Sequence, residues 1–154
     1  MITGMSEMNR RDFGVAAAMF AVGQTAMQPG PGYGVLTSSV TPPMPRMGMK
    51  LPNGTERRGV LAGLLQTGEG VSVHESRIPA GTPKGTAYTI QHSEVLVVVE
   101  GTLGFQHDGL EARAVTGSVI FVAYGTNHLV WNEGDGDARY FSVEMSGDTK
   151  KGRG

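Results

Sequence analysis

The sequence predicts an all-β fold in which short antiparallel strands form a double-sheeted jelly-roll barrel. From Arg58 onward, short apolar runs follow one another at close spacing, with turn residues between them. None of these runs shows the sustained periodicity of an amphipathic helix. The chain also has 24 glycines and only 6% aromatic residues, which fits many strands joined by tight turns.

Nine segments are predicted as strands of this barrel. They cover residues 59–66, 71–78, 88–91, 94–99, 103–106, 110–115, 119–122, 128–131 and 138–145. Residues 35–40 are a candidate for one further edge strand. Predicted turns fall at 79–81, 107–109, 117 and 134–136, where glycine, proline or aspartate stands.

The length of 154 residues fits one domain with a substantial core. We place the barrel at residues 55–147. Residues 28–54 are rich in proline, glycine and methionine, a composition that excludes regular helix and central strand and predicts a linker and an arm on the barrel surface. Residues 148–154 are expected to be a basic disordered tail.

The N-terminus predicts export. Asn9-Arg10-Arg11-Asp12-Phe13 precedes an apolar stretch that is too short to cross a bilayer but has the length of a signal-peptide core. Paired arginines before such a segment resemble a bacterial twin-arginine signal. We therefore expect residues 1–27 to be an export signal, a periplasmic or extracellular location, and no stable membrane anchor after cleavage. The alternative is an amphipathic helix that stays attached.

Charge and cysteine content exclude several function classes. The formal net charge of -1 gives no electrostatic basis for binding nucleic acid. The chain has no cysteine, so disulfides, thiolate nucleophiles and thiolate metal sites are ruled out. Any metal must be bound through nitrogen and oxygen.

Side-chain alternation assigns faces within the strands. Successive side chains of a strand point to opposite faces, so residues two apart share a face while the chain stays extended. One such face comprises Tyr88, Ile90, His92 and Glu94. The segment 94–99 is apolar on both faces after its glutamate, as expected where a barrel wall also packs against an arm or a second subunit. We therefore predict a homodimer.

The run from Gly117 to Asn132 has glycine, histidine and asparagine at fixed offsets. It resembles the second conserved motif of the cupins, G-x5-P-x-G-x2-H-x3-N, through Gly117, Gly125, His128 and Asn132. The motif proline is replaced by Ala123. The resemblance implies a double-stranded β-helix, the cupin form of the jelly roll, and a metal bound by His128.

The first cupin motif, G-x5-H-x-H-x3,4-E-x6-G, is matched in part. Glu94 stands six residues before Gly101, as the motif requires. The two histidine positions hold Tyr88 and Ile90, and the nearest imidazole is His92. The segment thus resembles the cupin fold strongly and the usual four-ligand site partially.

Three residues are predicted to bind a metal: His92, Glu94 and His128. Two imidazoles and a carboxylate suit Fe, Mn, Ni or Zn as a divalent ion with open positions for substrate or dioxygen. Each residue has an alternative role. Glu94 and His128 are alternatively structural hydrogen-bonding groups, and His92 is alternatively an exposed residue at the barrel mouth.

Tyr88 and Arg139 are the predicted substrate-binding residues. Tyr88 would add a phenolate or a hydrogen bond beside the metal, and Arg139 would bind a carboxylate near the open end of the cavity. His74 is interpreted as part of the polar face of its strand, because it alternates with valines. Trp131 falls on the face opposite His128, so core packing is the favoured interpretation.

Two functions of different classes follow. The first is an exported metal-dependent cupin of the oxygenase or isomerase type, acting on a small oxygen-rich molecule. The alternative is a metal-free ligand-binding or structural module with a degenerate site, which the replacement of both histidines by Tyr88 and Ile90 favours. Fold alone does not name a substrate.

Overall fold

The computed structural model describes residues 33–43 and 48–146. These contain ten strands and no helix. The strands are β1 (Met49–Lys50), β2 (Glu56–Leu64), β3 (Gly70–Ile78), β4 (Tyr88–Thr89), β5 (Ser93–Glu100), β6 (Thr102–His107), β7 (Leu110–Val115), β8 (Val119–Val122), β9 (Asn127–Asn132) and β10 (Ala138–Met145). The predicted export signal and basic tail lie outside the described residues. Within the part that is described, no helix is long and apolar enough to cross a membrane.

The strands form two sheets. One has six strands in the order β1-β2-β3-β10-β5-β8, and the other has four in the order β4-β9-β6-β7. All the named strand pairs are antiparallel. This confirms the predicted all-β, antiparallel, double-stranded β-helix fold, and the nine predicted strands correspond to β2 to β10.

The predicted edge strand at residues 35–40 is largely wrong. Only Val35 forms a bridge, in parallel, to Leu64, with backbone hydrogen bonds on either side of it. Instead the arm contributes the two-residue strand β1, which pairs with the start of β2. The described residues of the arm therefore pair with the edge strand β2 at Val35 and at β1, and they do not extend the sheet along its length.

The core lies between the two sheets, and its chemistry changes along the strands. On β5 the interior face carries Glu94, then Leu96 and Val98, all of which are buried. Leu96 and Val98 belong to a cluster that includes Leu103 from the opposite sheet. The apolar core therefore fills one end of the barrel, and a polar group occupies the other.

Strand β3 is polar on its interior face and apolar on its exterior face. Ser72, His74 and Ser76 are buried, while Val71 and Val73 alternate with them and are half-buried. An exposed antiparallel sheet usually has the opposite pattern, with apolar side chains inward. The polar face on which His74 was predicted to lie is thus the interior face.

Candidate metal centre

The candidate centre is built on strands that face each other across the barrel. In the six-stranded sheet, Glu94 on β5 lies directly opposite Glu144 on β10. In the four-stranded sheet, His128 on β9 is flanked by Tyr88 on β4. His92 comes from the bend between β4 and β5, where the chain passes from one sheet to the other. Register and this bend therefore bring the predicted groups to one end of the interior.

The three predicted metal-binding residues lie close together. The Nε2 atom of His128 is 3.5 Å from Oε1 of Glu94, and Nε2 of His92 is 3.8 Å from Oε2 of the same carboxylate. Ligand atoms that each lie about 2 Å from one ion are separated by roughly 3–4 Å. Each distance lies in this range and is long for a direct hydrogen bond, and the two imidazoles approach different oxygens of Glu94.

Glu144 joins this group, which the sequence did not indicate. His92, Glu94 and Glu144 each offer one ligand atom, and these atoms lie within 4.8 Å of one another. All three residues are buried. The structure thus contains a possible His/Glu/Glu metal-binding group, with His128 at the other oxygen of Glu94.

The imidazoles of this group lack hydrogen-bond partners. Both ring nitrogens of His92 and both of His128 are buried and make no hydrogen bond to any residue that the structure describes. Leaving a buried polar group unpaired costs about 1–3 kcal/mol. A metal ion would take one nitrogen from each ring, so the residues present fit a bound divalent ion.

The carboxylates at the centre are held in their charged form. Burial raises the pKa of Glu94, but the imidazoles of His128 and His92 lower it more, and the net pKa lies below its ordinary value. Burial also opposes ionisation of Glu144, yet His74 and Arg57 lower its pKa to about 2. Two adjacent anions repel each other unless a cation lies between them. This electrostatic environment favours a cation.

Glu144 is held in place by three neighbours. Ser72 donates a hydrogen bond from Oγ to Oε2 at 3.0 Å, and Arg57 donates from Nη2 to Oε1. Nδ1 of His74 lies 3.4 Å from the same Oε1. The carboxylate is therefore oriented before any ligand arrives.

Tyr88 lies beside the centre. Its ring centroid is 4.7 Å from that of His128, and 39% of the residue is exposed. Burial raises the pKa of Tyr88, and the negative charge of Glu94 raises it further. Its hydroxyl is therefore a hydrogen-bond donor rather than a phenolate.

Arg139 does not lie at the candidate centre. It is on β10 at odd spacing from Glu144, so the two side chains point to opposite faces of the sheet. Its guanidinium pairs with Glu75, and Nη1 lies 3.3 Å from Oε2 of Glu100. The structure therefore places it on the exterior face, away from the residues with which it was expected to act. Trp131 is also on the exterior, with Nζ of Lys84 3.7 Å from its ring centroid.

The motif residues other than His128 have structural roles. Gly117 and Gly125 have φ angles of 90° and 78°, in the left-handed region that residues with a Cβ rarely adopt. The Nδ2 atom of Asn132 donates to the carbonyl oxygens of Ile78 and Gly136 at 3.0 and 2.7 Å. These residues set the turns around β8 and β9, and so they position His128.

Comparison with known proteins agrees with this fold. Residues 74–144 match the family described as "Cupin domain". No curated protein sequence matches the chain significantly.

Several solved structures share the fold. An RmlC-like cupin from Shewanella frigidimarina is 16% identical with a TM-score of 0.55, over 73% of this chain and 96% of that one. A Cupin 2 conserved barrel domain protein from Salinispora arenicola has the same identity and TM-score, 16% and 0.55, over 70% and 89%. The Cnp3 cupin domain of Schizosaccharomyces pombe is 13% identical with a TM-score of 0.54, and the match covers 64% of this chain and 66% of that one. The match thus spans slightly less than two thirds of the Cnp3 domain. The matched segment, a little under half of the chain, is similar to a cupin domain, and these solved structures share the fold of the chain.

Three residues around the centre were missed by sequence reasoning: Arg57, His74 and Glu144. Strand alternation did put His74 with Ser72 and Ser76, but nothing in the sequence said that this polar face is the inner one. Glu144 could have been found from sequence, because it is a charged residue between the apolar residues Val143 and Met145 of its strand.

Proposed function

We propose that this protein binds one divalent transition metal through His92, Glu94 and His128, with the carboxylate of Glu144 as the fourth ligand. The metal would be Fe, Mn, Ni or Zn, since nitrogen and carboxylate ligands suit these ions. The observation that carries the proposal is the set of buried ring nitrogens of His92 and His128, which have no partner among the described residues. The proposed activity is that of an oxygenase or isomerase on a small oxygen-rich molecule.

The residues around the metal would divide the work. A bound divalent ion supplies Lewis acidity toward a substrate oxygen. Tyr88 would donate a hydrogen bond from its protonated hydroxyl to the substrate. Leu96 and the apolar cluster below it close the inner end of the site to water. Arg57 and Ser72 keep Glu144 ionised and oriented.

Metal content tests this proposal directly. We would purify the protein without a histidine tag and measure bound metals by elemental mass spectrometry. The expected result is close to one metal per chain in the wild type and a large loss in His128→Ala. Arg113→Met is the control, because the side chain of Arg113 is 65% exposed and lies 3.9 Å from Glu133 at the surface. Equal loss in the control, or full metal in His128→Ala, would remove the assignment of His128.

A metal-free cupin module is the second candidate. The usual histidine positions hold Tyr88 and Ile90, and Ile90 is 2% exposed within the apolar core, where it offers no ligand atom. In this case the cavity binds a small molecule without a metal, or the barrel is structural. Wild-type protein that takes up no metal after removal and reloading with Fe, Mn, Ni and Zn would favour this candidate.

The homodimer is also proposed rather than observed. On the exterior of the six-stranded sheet, a continuous apolar surface crosses β8, β5 and β10, and 61% of Phe121 and 64% of Val119 are exposed at its edge. Val95 and Val97 are their cross-strand partners. We propose that a second copy covers this surface. Light scattering after size exclusion should show a dimer for the wild type and a monomer for Phe121→Glu.

Export by a twin-arginine route is proposed on the N-terminal sequence. Full-length protein expressed in a bacterium should be found in the periplasmic fraction, and replacement of Arg10 and Arg11 by lysine should keep it in the cytoplasm. Mass spectrometry of the exported form would locate the cleavage site. A mature chain that still contains residues 1–27 would instead support an attached helix.

A further inference from the structure

Arg57 is a cation on the interior face of the barrel, next to the proposed metal centre. It lies on β2 and is paired in register with Ser76, whose strand has its polar face inward. Its Nη2 atom donates to Glu144 and lies 3.0 Å from Nδ1 of His74. Its side chain is 36% exposed, so the guanidinium is reachable from solvent.

Among the described residues, the partners of Arg57 use only one of its three side-chain nitrogens. Only Nη2 has a partner among the residues that the structure describes, and Nε and Nη1 have none. A guanidinium offers five N–H donors, and both of its paired edges, Nε with Nη2 and Nη1 with Nη2, include Nη2. Arg57 can therefore hold Glu144 with Nη2 and donate a single hydrogen bond to an anionic ligand from Nε or Nη1.

The remaining arginines near the site serve elsewhere. Arg58 and Arg139 pair with Glu75 on the exterior face, and Arg77 pairs there with Asp137. Within residues 33–43 and 48–146, Arg57 is thus the arginine that contacts the carboxylates of the proposed centre.

The separation between Arg57 and the centre sets the size of the ligand. Glu144 spans the gap, because one oxygen contacts Arg57 and a ligand atom of the same carboxylate lies within 4.8 Å of those of His92 and Glu94. The distance between an anion bound to Arg57 and an ion at the centre is thus about the length of one carboxylate group. The charge of Arg57 also extends to Tyr88, where it offsets part of the rise in pKa that burial causes.

We infer that Arg57 binds the carboxylate of the substrate, which is a small carboxylic acid with a second oxygen one or two bonds beyond the carboxyl carbon. In this arrangement one carboxylate oxygen accepts a hydrogen bond from Nε or Nη1 of Arg57, and the second oxygen of the substrate points to the metal and to the hydroxyl of Tyr88. The inference rests on the proposed metal site and specifies its substrate class. It assigns to Arg57 the carboxylate-binding role that the sequence suggested for Arg139.

Glycolate is the probe that tests this inference, and ethylene glycol is its uncharged match. Binding of each to the metal-loaded protein would be measured by calorimetric titration, and the metal content of every sample would be measured in parallel. We expect glycolate to bind and ethylene glycol not to bind. Arg57→Met should weaken glycolate binding about tenfold or more, as expected for loss of a hydrogen bond between charged groups. Because Arg57 also orients Glu144, wild type and variant are compared at equal metal occupancy.

Two further variants make the result specific. Arg57→Lys keeps the positive charge but has one nitrogen, which Glu144 and the ligand would have to share, so its binding should lie between that of the wild type and that of Arg57→Met. Arg113→Met is the control. The side chain of Arg113 is 65% exposed, and its Nε atom lies 3.9 Å from Oε2 of Glu133, so it takes no part in the centre. It should bind glycolate as the wild type does.

The outcomes separate this inference from the proposed function. Wild-type protein that binds no metal overturns the metal site, and the same titration of metal-free protein then decides on Arg57 alone. Glycolate binding that is equal in wild type, Arg57→Met and Arg57→Lys overturns the inference, and so does equal binding of ethylene glycol.

Discussion

The exterior ion-pair cluster around Glu75 allows a quantitative test of where Arg139 points. Glu75 is 2% exposed, and it pairs with Arg58 and Arg139, whose side chains are 9% and 40% exposed. Burial raises the pKa of Glu75, but the hydrogen bonds from Arg139 and Arg58 lower it below its ordinary value. We compare Glu75→Ala with Arg139→Met in the metal-free protein.

The two substitutions should differ severalfold in cost. Without Glu75, the buried guanidinium of Arg58 has no counter-charge, and its Nη1 already lacks a hydrogen-bond partner within the described residues. Removing one partner of a buried pair costs about 3–5 kcal/mol. Without Arg139, Glu75 keeps Arg58. Because Arg139 is partly exposed and screened by solvent, its loss should cost about 1 kcal/mol.

Urea unfolding at pH 7, followed by circular dichroism, measures both free energies of unfolding. A small domain has about 5–15 kcal/mol in total, so Glu75→Ala should shift the midpoint far more than Arg139→Met. Arg139→Met should bind glycolate and metal as the wild type does. The placement of Arg139 would be refuted if Arg139→Met lost glycolate binding while keeping wild-type stability.

Three further predictions concern stability. Gly104→Ala should lower the free energy of unfolding by about 1–3 kcal/mol, because an added Cβ would overlap the indole of Trp131. Adding Trp131→Ala to this variant should remove the overlap. An unchanged urea midpoint in Gly104→Ala would contradict this contact. Asn132→Ala should cost roughly 1–3 kcal/mol, since three hydrogen bonds to backbone groups are lost. Asn132→Asp keeps the acceptor but places a carboxylate oxygen against the carbonyl oxygens of Ile78 and Gly136, so it should cost at least as much. The pKa of Glu144 is lowered from 4.5 to about 2, so its contribution is full above pH 4.5 and is lost as the pH falls toward 2. The free energy of unfolding of the metal-free protein should therefore fall by on the order of 3 kcal/mol over this range, and that of Glu144→Gln should not. If both proteins lose the same stability between pH 4.5 and 2, this role of Glu144 is contradicted.

Much of the fold could be predicted from sequence because it rests on local signals. Turn residues and short apolar runs indicated β2 to β10. The motif spacing placed Glu94 and His128 in the same site, and the structure has their side chains 3.5 Å apart. His92 was placed with them by strand alternation, although the chain bends there. Its side chain reaches the centre all the same, with 7% of the residue exposed.

The rest of the centre depends on strand order, which no local pattern reports. Glu144 meets Glu94 because β10 lies between β3 and β5, and Arg57 reaches Glu144 because β2 lies beside β3. Strand alternation puts Arg139 and Glu144 on opposite faces of β10. It could not say which of the two faces points inward, because apolar residues lie on the exterior face of both β3 and β10.

The inverted pattern of these strands connects the two proposals about this protein. On β10 the interior face has Ser142 and Glu144, and the exterior face has Phe141 and Val143. Burying serines and charged groups inside a barrel costs free energy unless they meet partners, and leaving valine and phenylalanine outside forgoes burial. The cost of the buried polar groups falls if a metal and the proposed carboxylic acid substrate bind in the interior. The cost of the exposed apolar groups falls if a second copy covers the exterior. The same sheet thus gives one testable expectation: Phe121→Glu should separate the copies without removing the metal, because the two sites lie on opposite faces.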